Sequence, residues 1–235
     1  MIKLLFVFFA FGFADSETRL EPKGDCDLEL SYAYYNICYS PTHRQAIWTY
    51  HSLTRSHIQG PQKRINDYKR ELRLNDPVGS RDFKGSGFDR GHLVPAGDMK
   101  LNRLSMTDTF YMTNMSPQRA GFNSGIWRSL ESHIRRQVLS LGEALVVTAP
   151  VLLEDEDYNQ IQTGVSIPML YYKIAYYREA DMMEAYLIPN ATQSGKQIDD
   201  FRVSVDEIEE LTGYDFYSGL SDEFEERLES RVLDF

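Results

Sequence analysis

Residues 124–141 place Ile126, Leu130, Ile134 and Val138 four apart, a repeat that predicts a helix with one apolar stripe to bury. Such a helix needs an apolar surface to lie on. Runs at 46–53, 144–151, 169–177 and 183–188 supply it, being rich in Val, Ile and Tyr and bounded by Gly, Pro or Asn, as strands are. Helical signals also occur from 106–109 onward and at 205–211, where Ser204 and Glu207 form a capping box and Gly213 a terminator. The chain shows no repeat and no low-complexity linker. With 235 residues, 42% of them hydrophobic, it can fill a large core. The expected class is α+β in one domain.

If the long helix begins near Asn123, then Asn123, Trp127, Glu131 and Arg135 share the face beside the apolar stripe. Trp127 is assigned to core packing. An amide, a carboxylate and a guanidinium remain along that edge.

The amino terminus has a different character. Met1-Ile2-Lys3 is a short basic start, Leu4 to Phe13 are apolar, and Gly12-Phe13-Ala14 reads as a small-residue cleavage signal. Export with cleavage after Ala14 is expected, to the periplasm or the medium, because the run is too short to span a bilayer; a buried first helix is the alternative. Cys26 and Cys38 are near enough in sequence to close a small loop in an oxidising compartment. Two cysteines alone leave both a disulfide and two free thiols open. The predicted organisation is a signal peptide over 1–14, an amino-terminal extension over 15–42 and the main domain over 43–235.

The net charge of −10 conceals an uneven distribution. Residues 43–136 hold 16 Lys and Arg against 8 Asp and Glu, whereas residues 197–235 hold 3 against 13. A basic centre suits a polyanion, because phosphate binding rests on cations placed locally. The acidic carboxyl end reads as a solvated helical surface.

Within the basic centre, residues 87–95 read GFDRGHLVP, so that Asp89, Arg90, Gly91 and His92 interrupt strand-like material. Phosphodiester hydrolysis needs a base for water, positive charge for the transition state and help for the leaving oxygen. His92, Arg135 and a metal near Asn123 and Glu131 could supply them. Asp89 and Arg90 are read as structural, paired with each other or bracing the turn. His43, His51, His57 and His133 have no comparable context, and His133 is expected to be solvent-exposed or incidental.

FDRGHLVPAGDM followed by TFYMTNMSPQRAGFNSGIWRSLE, with FRVSVDEIEELTG further on, resembles the DNA/RNA non-specific endonuclease family, which includes mitochondrial endonuclease G and secreted bacterial nucleases. The likeness runs from about Trp48 to the carboxyl terminus. It implies a ββα-metal core packed on a larger antiparallel sheet with flanking helices. It also implies that His92 is the general base and that Asn123 is the one direct protein ligand of Mg²⁺, or of Mn²⁺, with waters completing the octahedron. Glu131 matches a glutamate that orients water, Arg135 an arginine that contacts phosphate, and Asn114 a supporting asparagine. Arg64 is the best match for an upstream arginine, with Arg73 competing.

The implied activity is endonucleolytic hydrolysis of DNA and RNA with little sequence preference, leaving 5′ phosphates. Expected partners are the two nucleic acids and a second copy of the chain, without stable membrane insertion; the sequence identifies no inhibitor protein. A zinc hydrolase is disfavoured by the lack of HExxH and CxxC patterns. A non-catalytic nucleic-acid-binding relative would keep the basic centre but has no need of His92 and Asn123 together.

Overall fold

Seven antiparallel strands form the frame of the computed structural model, which describes residues 20–153 and 156–232. The chain enters through β1 (Leu28–Ser31), β2 (Asn36–Ser40) and β3 (Gln45–Leu53), then turns through the short helix α1 (Arg55–Gln59). A long irregular stretch leads to β4 (Asp89–His92), α2 (Arg103–Asp108) and β5 (Met115–Gln118). Next come α3 (Arg128–Leu141), β6 (Ala144–Pro150), β7 (Leu170–Tyr177) and β8 (Met182–Pro189). The two-residue β9 (Arg202–Val203) precedes α4 (Val205–Thr212) and α5 (Asp222–Glu229). The main sheet runs β1-β2-β3-β6-β7-β8-β9, and β4 with β5 makes a separate two-stranded ribbon.

The four strands expected from composition are β3, β6, β7 and β8, each within two residues of its predicted bounds. β1 and β2 were not anticipated. They pair antiparallel with each other and with β3, so residues 28–40 of the predicted amino-terminal extension are built into the main sheet. A disulfide joins Cys26 to Cys38, with Cα atoms 5.7 Å apart. The proposed signal peptide over 1–14 lies outside the described residues. Among those described, no helix is long and apolar enough to cross a membrane.

Both faces of this antiparallel sheet are covered, which explains why β6 is buried at every position. Strand alternation divides β7 cleanly: Tyr171, Ala175 and Tyr177 join the core under α3, while Tyr172, Ile174 and Tyr176 join the core under α4 and α5. Helix α3 lays Leu130, Ile134 and Val138 on the first face, each essentially inaccessible to solvent. Against the second face, α4 contributes Val205 and Ile208, and α5 contributes Leu228. Ser204 caps α4 as expected, accepting from the backbone of Glu207, whose side chain accepts from Ser204 in return. Gly213 ends the helix in the left-handed region at φ 73°, which costs glycine no side-chain clash.

The predicted start of the long helix needs correction. Regular α-helix begins at Arg128, and Phe122–Trp127 form a wider π-type turn in which Gly125 leaves helical geometry (φ −100°, ψ −112°). The four-residue spacing from Asn123 therefore does not continue along one face. Trp127 turns inward and packs on Phe122 and Tyr171 at ring separations of 5.0 and 5.7 Å, as its assignment to the core required.

The α3 stripe carries enough apolar area to be tested directly. Ile134→Ala should lower stability by about 2–5 kcal/mol, the usual cost of truncating a fully buried aliphatic side chain. Urea denaturation measures it; a loss below about 1 kcal/mol would mean that α3 is not seated on the sheet as described.

Candidate active site

The β4–β5 ribbon presents the DRGH segment in register, with Asp89 opposite Gln118, Gly91 opposite Ser116 and His92 opposite Met115. Gly91 is required by close approach, since a Cβ there would lie 2.1 Å from the Gln118 side chain. His92 ends the strand almost fully buried, its ring edge-on to Phe110 at 5.0 Å. Its Nε2 is sealed from solvent and has no hydrogen-bond partner, which leaves Nδ1 as the nitrogen available to the pocket. Burial, with a smaller push from the Arg64 guanidinium, drives the imidazole pKa down to about 3. His92 is accordingly neutral across the physiological range.

Asn114 holds the segment that follows His92. Its Oδ1 accepts from the Val94 amide, and its Nδ2 donates to the carbonyls of Val94 and Thr109, each at 2.9 Å. Completely buried and spent on backbone, it does not line the pocket. Asn114 thus supports the backbone that follows His92 and presents no group to the pocket.

Asn123 arrives from the opposite side, on the wide turn before α3. Its Nδ2 donates to Asp89 Oδ2 at 2.9 Å. A carboxylate only accepts, so this bond commits the amide nitrogen and leaves the Asn123 Oδ1 as a free acceptor. Asp89 therefore does more than brace a turn: it ties β4 to the turn that carries Asn123. The sequence reading has it pair with Arg90 or brace the turn, and no local spacing announces a partner 34 residues away.

Glu131 and Arg135 follow on α3, one turn apart. Arg135 Nη1 donates to Asp98 Oδ1 at 2.7 Å and lies 3.9 Å from Glu131. Asp98 also faces His51 Nε2 at 3.5 Å; burial would raise its pKa, but His51 and Arg135 together hold it below the usual carboxylate range. Beneath Glu131 lies Lys173, inside the sheet on the α3 side, donating to Thr148 Oγ1 and placed 5.0 Å over the Trp127 ring. Burial raises the Glu131 carboxyl and lowers the Lys173 ammonium, and each pulls the other back towards its charged form. Sequence reading missed Asp98 and Lys173. The only signal for Lys173 was a cation amid the apolar alternation of β7.

These groups converge on a pocket of about 700 Å³. Arg64, Arg81, Lys84, Arg90, Arg128 and Arg135 line it, against two carboxylates, Asp89 and Glu131. The excess of cations fits a polyanionic ligand. Arg64 stacks 5.2 Å from the centre of the Phe110 ring that also touches His92. Arg73 is elsewhere, bonded to Glu71 and packed on Tyr32, so of the two competing arginines the fold brings only Arg64 to the pocket. Arg90, read as structural, lies on the pocket wall over Tyr68 at 4.4 Å. His133 is also corrected: it is largely buried and pairs with Glu184 at 3.0 Å, on the other side of α3 from the pocket.

An antiparallel ribbon followed by a crossing helix, packed on a larger antiparallel sheet and enclosing a cation-rich pocket, defines the class of ββα nucleases. The family model of DNA/RNA non-specific endonucleases matches residues 18–223, and the chain belongs to this metal-dependent nuclease family. It is 30% identical to the mitochondrial endonuclease G of Caenorhabditis elegans over 83% of this chain and 67% of that protein. It is 31% identical to nuclease C1 of Cunninghamella echinulata var. echinulata, over 79% of this chain and 81% of the relative. The crystal structure of the EndoG/EndoGI complex superposes with a TM-score of 0.76 at 28% identity, covering 82% of this chain and 86% of the other. These likenesses establish a DNA/RNA non-specific endonuclease.

Because the His92 pKa falls on folding, the unfolded chain takes up its proton first as pH drops. The stabilisation is fully present above 6.5, the ordinary histidine value, and is lost progressively between 6.5 and about 3. His92→Gln removes this titration. Between pH 7 and pH 4.5 the stability difference between variant and parent should move by roughly 2 kcal/mol in the variant's favour, measured by denaturant unfolding at both pH values. An unchanged difference would mean that His92 is not held neutral by burial.

Proposed function

We propose that this endonuclease is exported and Mg²⁺-dependent, and that it cleaves DNA and RNA with little sequence preference to leave 5′ phosphates. The observation that carries this reading is the pairing of a neutral, buried His92 with an Asn123 whose amide nitrogen is already committed to Asp89. His92 accepts the proton of the attacking water at Nδ1. A bound phosphate would raise its pKa, because the added negative charge offsets that of Arg64, the smaller of the two causes that depress it. Arg64 and Arg90 bind the phosphodiester backbone, and Arg135, held by Asp98, keeps its remaining N–H groups for the same task.

The residues present suit a hydrated divalent cation. A neutral amide oxygen in a pocket whose two carboxylates are Asp89, already accepting from Asn123, and Glu131 favours an ion that keeps most of its water, as Mg²⁺ does, with Mn²⁺ as the nearest substitute. Asn123 would hold the ion through Oδ1, and Glu131 would hold its surrounding water. When bound, the ion would supply positive charge to the oxygens that become more negative in the transition state.

Recognition through backbone cations predicts tolerance of either sugar and suppression by salt. Export is supported by the Cys26–Cys38 disulfide, which suits the periplasm or the medium; the mitochondrial relatives supply the competing address. By likeness to the EndoG/EndoGI complex, an inhibitor protein is a further expected partner.

Incubation of the purified chain with plasmid DNA and with structured RNA, in Mg²⁺ or in EDTA, tests the reading. Both substrates should be cut only with Mg²⁺; refusal of one nucleic acid, or a single preferred recognition sequence, would overturn it. His92→Ala should keep its fold and lose at least about 10²-fold in turnover. Near parental turnover in a folded variant would remove His92 as the base.

The metal assignment has its own test. Asp89→Ala should weaken Mg²⁺ binding by about 10–100-fold by releasing the Asn123 amide, and Asn123→Ala should weaken it at least as far. Calorimetry with MgCl₂ decides, and unchanged affinity in both variants would move the metal away from Asn123.

A further inference from the structure

Helices α4 and α5 cover the sheet face turned away from the nuclease pocket, and their junction gathers like charge. Asp206 and Glu209 on α4 and Glu229 at the end of α5 each bring a carboxylate oxygen within 4.8 Å of the others. Asp206 is exposed and Glu209 half-buried, but Glu229 is only 4% exposed. Its Oε1 is sealed from solvent and has no hydrogen-bond partner. The Glu225 Oε1, one turn earlier on α5, is in the same condition.

The charges that act most strongly on Glu229 are all carboxylates, those of Glu209, Glu225, Asp206 and Asp215. Burial and this repulsion push it up to about 9. Lys23 is drawn to the outer edge of the group, where it pairs with Asp215 at 3.4 Å. A buried carboxylate without a donor is costly, and folded proteins rarely leave one unsatisfied. A proton would neutralise one of these groups. A divalent cation would offset two charges and give three oxygens a common partner.

We propose that Asp206, Glu209 and Glu229 form a Ca²⁺ site that clips α5 to α4. A shell of three carboxylates favours Ca²⁺ over Mg²⁺, which gives up its water reluctantly and is usually held by one or two carboxylates. Ca²⁺ also accepts the irregular, carboxylate-rich shell that two helices present, with water filling the remaining positions. Glu229 lies beyond residue 223, where the match to the nuclease family ends. The role of the site is to hold α5, which reaches past the end of that match.

The test uses the full chain carrying Asn123→Ala, so that metal binding at the nuclease pocket does not contribute. Calorimetry with CaCl₂ should show one ion per chain with a Kd on the order of 10⁻⁴ M. Thermal melts should show Tm rising by about 5 °C in roughly 5 mM CaCl₂. Adding Glu229→Gln should abolish both responses and leave the Ca²⁺-free Tm equal or higher, since repulsion is relieved. Asp206→Asn, on the exposed rim, makes the same test without touching a buried group. No Ca²⁺ response in the Asn123→Ala chain, or a response that survives both carboxylate substitutions, would overturn the site. An equal rise with MgCl₂ would overturn the choice of ion.

Discussion

A buried ion seam between α3 and the sheet sets the geometry of the pocket. Lys173 projects from β7 into a face otherwise made of Tyr171, Ala175 and Tyr177, and its charge is tolerable there only because Glu131 and Asp98 lie close enough to oppose it. Asp98 in turn holds Arg135 and faces His51. The apolar stripe of α3 provides most of the binding energy of the helix, but apolar contacts alone would permit small slides and rotations. Charge pairs in a dry interface do not, because a displaced partner leaves an uncompensated charge at a cost of about 3–5 kcal/mol. Arg135, which faces the pocket, is thus held from behind by Asp98, and Glu131 beside it feels the charge of Lys173.

The sheet also separates two electrostatic environments. On the α3 side, six cations line the pocket; on the other, the acidic residues of α4 and α5 gather. A polyanion approaching the molecule is drawn to one face and repelled by the other. The net charge of −10 is compatible with nucleic-acid binding for this reason, since the local field at the pocket has the opposite sign.

Several elements were legible because their signals are local. The Val-, Ile- and Tyr-rich runs of β7 and β8, the Ser204 and Glu207 cap and the buried stripe of α3 depend on residues a few positions apart, and each occurs where these local signals predict. The beginning of α3 was misread because one residue, Gly125, breaks the helical period. Extrapolating the repeat back to Asn123 sets Asn123 on one helical face with Trp127 and Glu131, whereas the wide turn separates it from them, and Trp127 packs in the core to which it is assigned. β1 and β2 escaped notice because short strands with polar edges look like loop until a neighbour supplies the hydrogen bonds.

By itself the sequence determined the class of the fold, the family through the DRGH and NMSPQRAGFN segments, and the identity of His92, Asn123, Glu131 and Arg135 as the residues to seek in the pocket. Only the tertiary structure decided that Asp89 serves Asn123, that Asn114 is spent on backbone, that Arg64 and not Arg73 reaches the pocket, and that Glu229 meets Asp206 and Glu209. The physical reason is one of range. Propensity, periodicity and capping act over a few residues along the chain. Hydrogen bonds between charged or polar side chains act over a few ångströms in space, and which groups come that close is settled by packing that no short window of sequence contains.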